Sequence, residues 1–189
     1  MKIVIVGAGR GLGHVLAQML AEKGHTVVAG LRRLDDTISE RENLIYLQMD
    51  ATDEGQIRDA VQWTKHHVAG ILLQSDRTET LLTESLDDIR KQIEVNALGL
   101  ITVFRDFLPV IKKSGLFIGV TSEGGSFANE GSLFPAYGVS KTTANKIIQT
   151  LRVTVGESIN VYAVHPGRMN TDMGRTTAQI EPEEAAIGF

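Results

Sequence analysis

Lys2-Ile3-Val4-Ile5-Val6-Gly7-Ala8-Gly9-Arg10-Gly11-Leu12-Gly13 decides how the rest of the chain is organised. After Lys2 come four β-branched residues, too few for a helix and stopped by Gly7, so they form a short buried strand. Residues 14–23 follow with Val15, Leu16, Met19 and Leu20 at helical spacing. Strand, glycine turn and helix therefore succeed one another without a gap. Gly7 permits a tight turn, Gly11 lets backbone approach a phosphate, and Gly13 lets the helix pack closely on the strand. The unsatisfied N–H groups and the dipole at the helix start then favour an anion.

Working outward, Gly24 ends the helix and residues 26–30 (TVVAG) form a second apolar strand, completing a βαβ unit expected to be right-handed. A dinucleotide site for a free ribose 2′-hydroxyl places a carboxylate at the end of this strand, whereas one for a 2′-phosphate supplies arginine. Leu31 holds that place, with Arg32 and Arg33 beside it and Arg10 in the glycine turn. The pattern points to NADP over NAD, with NAD still possible. Arginines that are merely solvated are the plain alternative.

Residues 44–49 (LIYLQM) form a third strand, followed by Asp50-Ala51-Thr52-Asp53. Asp50, at a strand's carboxyl end, either accepts from an adenine amine or closes a turn. Thr52 or Asp53 caps a helix carrying Ile57, Ala60, Val61 and Thr64 on one face. Residues 70–73 (GILL) make a fourth strand. Ser85 and Asp88 have capping-box spacing and open one long helix that passes Asn96 and runs towards Ile111. Asn96, set among apolar residues, asks for a hydrogen-bond partner. Residues 116–121 are a fifth strand, 122–135 a Gly/Ser/Asn-rich loop, 136–155 a helix closed by Gly156, and 159–164 (INVYAV) a sixth strand. Pro166-Gly167 then turns the chain. Strands alternating with helices, with no repeat or linker, indicate an α/β fold: residues 1–189 as a single domain built on a doubly wound parallel sheet.

The bulk numbers limit the partners. With 189 residues, 42% of them hydrophobic and 22% charged, the chain can bury a real core. A formal charge of −4 and no dense basic run argue against nucleic acid and against an anionic membrane, leaving a small-molecule ligand. The absence of cysteine excludes disulfides and thiolate metal sites, and the five histidines lack a ligand pattern, so no metal is expected. Only four apolar residues separate Lys2 from Gly7, too few for a signal-peptide core or a membrane span, and a soluble, cytoplasmic protein is expected.

The chemistry-bearing stretch is Tyr137-Gly138-Val139-Ser140-Lys141. Four residues are a little over one helical turn, so the phenol and the ammonium share a face. A cation beside a phenol favours phenolate and is expected to lower the pKa of Tyr137 from its reference of about 10. So tuned, Tyr137 passes a proton near neutral pH. The plain alternative is that Tyr137 packs while Lys141 sits in water.

In this order and at these intervals the pieces resemble the short-chain dehydrogenase/reductase family over essentially the whole chain, and imply its Rossmann-type sheet. Gly7, Gly11 and Gly13 match the family's cofactor turn, which also holds Gly9, Arg10 and Leu12. Asp50 and Ala51 sit where the family contacts adenine. Asn96, Ser122, Tyr137 and Lys141 match its four catalytic residues, and Pro166, Gly167 and Thr171 its nicotinamide-side segment. Residues 121–127 and 165–173 look most like the C-factor-like carbonyl reductase branch. The resemblance implies that Tyr137 gives a proton to a carbonyl oxygen while Ser122 holds that oxygen. Lys141 would tune Tyr137 and bind the nicotinamide ribose, Asn96 would hold a relay water, and Thr171 would touch the carboxamide. It also implies a homodimer paired through the helices of Asn96 and Tyr137.

The chain departs from the family in three places. Gln74-Ser75-Asp76 stands where Asn-Ala-Gly is usual, adding a carboxylate. Ser122 lies two residues further before Tyr137 than the commonest spacing, which leaves Ser126 as the alternative. The sequence stops at Phe189, where members continue with a helix and a last strand. A non-catalytic dinucleotide-sensing protein on the same fold is the competing expectation. Retention of all four catalytic residues is the feature that separates the two.

Overall fold

Period-two side-chain alternation sorts the first strands onto two faces. A computed structural model describes residues 2–34, 41–63, 75–129, 132–171, 173 and 178–188. Strands β1 (Lys2–Val6), β2 (Thr26–Leu31) and β3 (Leu44–Gln48) are parallel, with β2 in the middle. Val4 stands opposite Val28, and Val28 opposite Ile45. A second parallel pair joins β4 (Gly115–Val120) to β5 (Ile159–Val164), with Phe117 opposite Val161. These two are the fifth and sixth strands expected from the sequence. The expected fourth, 70–73, lies outside the described residues.

On one face, Ile5, Val27, Ala29, Leu31, Leu44 and Tyr46 meet Ala17 and Ala21 of helix α1 (Gly11–Glu22). On the other, Val4, Val6, Val28 and Met49 join a cluster with Leu100, Phe104, Phe107, Ile148, Phe117 and Val161. That second cluster takes residues from β1, β2, β4 and β5, so both strand groups share one core. Phe104 and Phe117 meet edge to face, with centroids 4.9 Å apart. Each such side chain, fully buried, contributes about 2–3 kcal/mol. Helices on both faces of parallel strands make the sheet doubly wound.

Helix α2 (Glu54–Trp63) begins where Asp53 Oδ1 accepts from the Gln56 amide at 3.0 Å. The long helix expected from Ser85 to Ile111 is divided. It runs as α3 (Leu86–Ile93), a wide π turn (Glu94–Leu98), α4 (Gly99–Phe107) and a 3₁₀ turn (Leu108–Val110). Two physical causes are visible. The π turn directs Asn96 and Ala97 into the core, and Pro109 has no amide with which to continue α4. The capping box is also incomplete: Ser85 Oγ accepts from the Asp87 amide, while Asp88 instead meets the Ser75 hydroxyl at 3.1 Å. Helix α5 (Pro135–Val155) ends at Gly156, whose φ of +58° suits glycine. A short helix, α6 (Pro182–Ile187), was not apparent from the sequence and packs Ala185 and Ala186 on Leu12.

Candidate functional site

At the carboxyl end of β1 the glycines do what their spacing requires. Gly7 and Gly11 have φ of +86° and +57°, and a Cβ on Gly13 would stand 2.5 Å from the Gly7 carbonyl oxygen. No larger residue fits there without moving backbone. The amides of Gly7 and Ala8 both donate to Gly30 O at 2.9 Å, which ties the turn to β2. Helix α1 then begins with no side-chain cap at Arg10. A Cβ on Gly11 would meet the Thr171 γ-methyl at 3.4 Å, so the segment after Pro166-Gly167 lies against the same turn. An uncapped helix start over a bare glycine bend fits a pyrophosphate.

The surroundings place the other cofactor-side residues. Leu31 is buried at the end of β2, 3.7 Å from the position of a Gly9 Cβ, and holds the place where a carboxylate would bind a free 2′-hydroxyl. Arg10, Arg32 and Arg33 are exposed. Leu12 points into the α6 cluster and Ala51 into the core, which leaves only their backbones for a ligand. Asp50 Oδ1 accepts from the Thr52 amide at 2.9 Å and its hydroxyl at 2.8 Å, so Asp50 closes a turn.

The second group of residues forms around α5. Lys141 is 4% exposed, and its Nζ donates to Val120 O at 3.0 Å and lies 5.5 Å from the Tyr137 ring centroid. Phenol and amine thus share a helix face, as their spacing required. The Ser122 hydroxyl stands near enough to the Tyr137 phenol to pull its pKa down, and its Oγ accepts from the Gly124 amide at 3.2 Å. Ser126, the alternative, is exposed and accepts from the Ala128 amide. The structure therefore brings Ser122, Tyr137 and Lys141 together and leaves Ser126 out. Asn96 Nδ2 donates to Ser140 Oγ at 2.9 Å, and that hydroxyl donates to Tyr137 O at 2.7 Å. Asn96 thus reaches the Tyr137 backbone through a serine that the sequence did not single out.

The electrostatics correct one expectation. Burial pushes the Tyr137 phenol up to about 12, against the smaller downward pull of the nearby Ser122 hydroxyl. Burial also pushes Lys141 down to about 8. Desolvation outweighs the effect that a neighbouring ammonium was expected to have on the phenol, because the same burial disfavours the ammonium itself.

Several further residues were not legible as site residues. Asp76 is fully buried, and its two carboxylate oxygens accept from the amides of Ala136, at 2.9 Å, and Tyr137, at 2.8 Å. Arg77 donates to Met173 O at 2.7 Å and lies 5.3 Å over the Phe134 ring. Arg168 pairs with Glu123, the neighbour of Ser122. A weak signal for Asp76 existed: Phe134-Pro135 opens a helix with no capping side chain of its own.

A glycine bend at the end of the first parallel strand, in a chain that also sets a half-buried tyrosine and a buried lysine on one helix, defines a dinucleotide-binding α/β domain. The short chain dehydrogenase family profile matches residues 1–182. The chain is 31% identical to human 17-beta-hydroxysteroid dehydrogenase type 2 over 98% of its own length, and spans about half (51%) of that relative's length. Among solved structures, it is similar to a short-chain dehydrogenase/reductase from Burkholderia multivorans with bound NADP. The TM-score is 0.88 at 26% identity, covering 99% of this chain and 87% of that one. The carbonyl reductase Sniffer of D. melanogaster shares the fold, with a TM-score of 0.85 at 21% identity over 98% of this chain and 88% of the other. The chain belongs to the short-chain dehydrogenase/reductase family. Among the described residues, no helix is long and apolar enough to cross a membrane.

Proposed function

We propose that this chain is an NADP(H)-dependent oxidoreductase that reduces a small carbonyl compound or oxidises the corresponding alcohol, with residues 1–189 forming one domain that carries both sites. The observation that carries this reading is the convergence of Ser122 and Lys141 on Tyr137. A bound nicotinamide supplies the hydride.

The chain's own residues supply position and protons. Gly7, Gly9, Arg10, Gly11, Leu12 and Gly13 hold the pyrophosphate through backbone and helix start, and Arg10, Arg32 and Arg33 favour a 2′-phosphate. Asp50 and Ala51 line the adenosine side; Pro166, Gly167 and Thr171 line the nicotinamide side. A phenol held near 12 is fully protonated at neutral pH, the form that donates to a carbonyl oxygen. Ser122, beside that phenol, holds the same oxygen in line. Lys141, near 8, takes up or gives a proton close to neutral pH and so can follow the charge on Tyr137. Asn96 supports this pair through Ser140.

The B. multivorans structure supports the NADP preference through its bound cofactor. The carbonyl reductase branch suggested by residues 121–127 and 165–173 supports a carbonyl substrate. Leu98, Ile101 and Leu108 on one helical run and Val139 and Val153 on α5 are exposed apolar side chains, which supports pairing of two copies through these helices. A cytoplasmic setting completes the reading.

The test is NADPH consumption with a panel of aldehydes, ketones and quinones. Tyr137→Phe is expected to lower kcat at least about 100-fold while leaving the melting temperature and NADPH binding nearly unchanged. A protein that binds NADPH, turns over none of the panel and shows no change on Tyr137→Phe overturns the proposal in favour of a dinucleotide sensor.

A further inference from the structure

Helix α5 starts in an unusual way for the helix that carries the reacting tyrosine. Its N-cap, Phe134, offers no side-chain acceptor. Pro135 has no amide, and the Gly138 amide makes the first turn bond to Phe134 O at 2.8 Å. That leaves the amides of Ala136 and Tyr137 to be satisfied from outside the helix. Both are taken by one carboxylate, Asp76, from 60 and 61 residues earlier in the chain. Asp76 is 0% exposed, so water does not substitute for it.

The turn bearing this carboxylate is itself fastened. Asp76 lies in a 3₁₀ turn (Ser75–Arg77). Ser75 Oγ stands 2.7 Å from Glu84 Oε1. Arg77 reaches Met173 O and covers the Phe134 ring, holding the turn against both the helix start and the segment after Thr171. An acceptor held this firmly fixes the donors it meets. One of those donors is the backbone of Tyr137 itself.

We propose that Asp76 is a positioning residue of the active site: as a cap supplied from a distant turn, it sets where α5 begins and so where the Tyr137 phenol stands. The proposal rests on the assignment of Tyr137 as the proton donor for its catalytic consequence, but its structural core stands without it. The negative carboxylate meets the positive end of the helix dipole, and its two oxygens match two adjacent amides. Asparagine at this position keeps the shape but presents one acceptor and one NH₂ group, which opposes an amide rather than accepting from it.

The experiment uses the full chain labelled with 3-fluorotyrosine, whose three tyrosines give separate fluorine NMR lines. Tyr137→Phe identifies the Tyr137 line. In Asp76→Asn, the Tyr137 line is expected to shift by more than its width or to split, while the Tyr46 line holds, since Tyr46 belongs to the other core cluster and is bonded by Gln18. Asp53→Ala, which removes the cap of α2, is the control for general destabilisation and leaves the Tyr137 line in place. If Asp76→Asn does not fold, Asp76→Ala combined with Phe134→Ser gives α5 a local cap and is expected to fold with the Tyr137 line near its native position.

In NADPH-dependent reduction of whichever panel carbonyl the wild type accepts, Asp76→Asn lowers kcat roughly tenfold with the NADPH KM within about twofold. A Tyr137 line unmoved in Asp76→Asn, or moved equally in Asp53→Ala, overturns the proposal; so does a folded double variant whose line stays displaced. A wild type with no turnover but with the expected fluorine result refutes only the assignment of activity.

Discussion

The two halves of the site are built by opposite means. On the cofactor side, residues 7–13 make a bend whose shape is dictated by their own backbone, with Gly13 against Gly7 at a separation only glycine allows. Around α5, by contrast, every important contact joins distant parts of the chain: Asp76 to Ala136, Asn96 to Ser140, Lys141 to Val120 and Ser122 to Tyr137. The first half is local chemistry written in consecutive residues. The second exists only once the core has brought four segments together. It follows that the glycine bend should fail through steric conflict, and the α5 side through loss of pairing and solvation.

The largest expected effect is on the local half. Gly13→Val forces its Cβ into the Gly7 carbonyl, and overpacking against backbone should cost roughly 3 to 4 kcal/mol. Denaturant melts would show this loss, and a calorimetric titration would show no measurable NADPH binding. A variant of wild-type stability would break the contrast.

Next comes the solvation of the distant half. Lys141 has a folded pKa near 8 against 10.5 for an ordinary lysine, so between these values the unfolded chain holds the extra proton. Stability therefore rises as pH goes from about 8 to about 10, by up to about 3 kcal/mol. Above pH 10 the trend reverses, because Tyr137 keeps its proton to about 12 in the folded chain and the unfolded chain has lost it. Urea melts across this range should show the rise in wild type and its absence in Lys141→Met. A flat wild-type profile would falsify the assignment of a strongly desolvated lysine.

The smallest effect is at the exposed arginines. Arg10→Ala and Arg33→Ala should each weaken NADPH by about tenfold, the worth of one charge-assisted contact to a phosphate, and leave NADH nearly untouched. Equal losses for both cofactors would show that neither arginine meets the 2′-phosphate.

The same contrast explains what was legible in the sequence. The strand, glycine bend and first helix followed directly from residues 2–23, because the constraint and its cause are neighbours. The alternation of strands and helices placed the layers, and helical spacing put Tyr137 and Lys141 on one face. Ser122 stands two residues past the end of β4, where the strand fixes it, whereas Ser126 lies exposed in the loop beyond. What was not legible is of another kind. Asp76 was visible only as an added carboxylate, since nothing within 50 residues of it announces that α5 lacks a cap. The division of the long helix at Asn96 escaped because the apolar spacing around it is compatible with a continuous helix. The direction of the Tyr137 shift was missed for a physical reason: spacing reports a charge at a distance, whereas burial depends on the whole core.

The π turn from Glu94 to Leu98 also acts as a phase adjuster. One residue more or less rotates everything downstream on a helix by about 100°. Behind the turn, Leu100, Val103, Phe104 and Phe107 point into the core while Ile101 and Arg105 do not. Deleting a single residue there would swing the wrong stripe of α4 inward, so the bulge lets one continuous run of helix present Asn96 to α5 and two phenylalanines to the sheet at once.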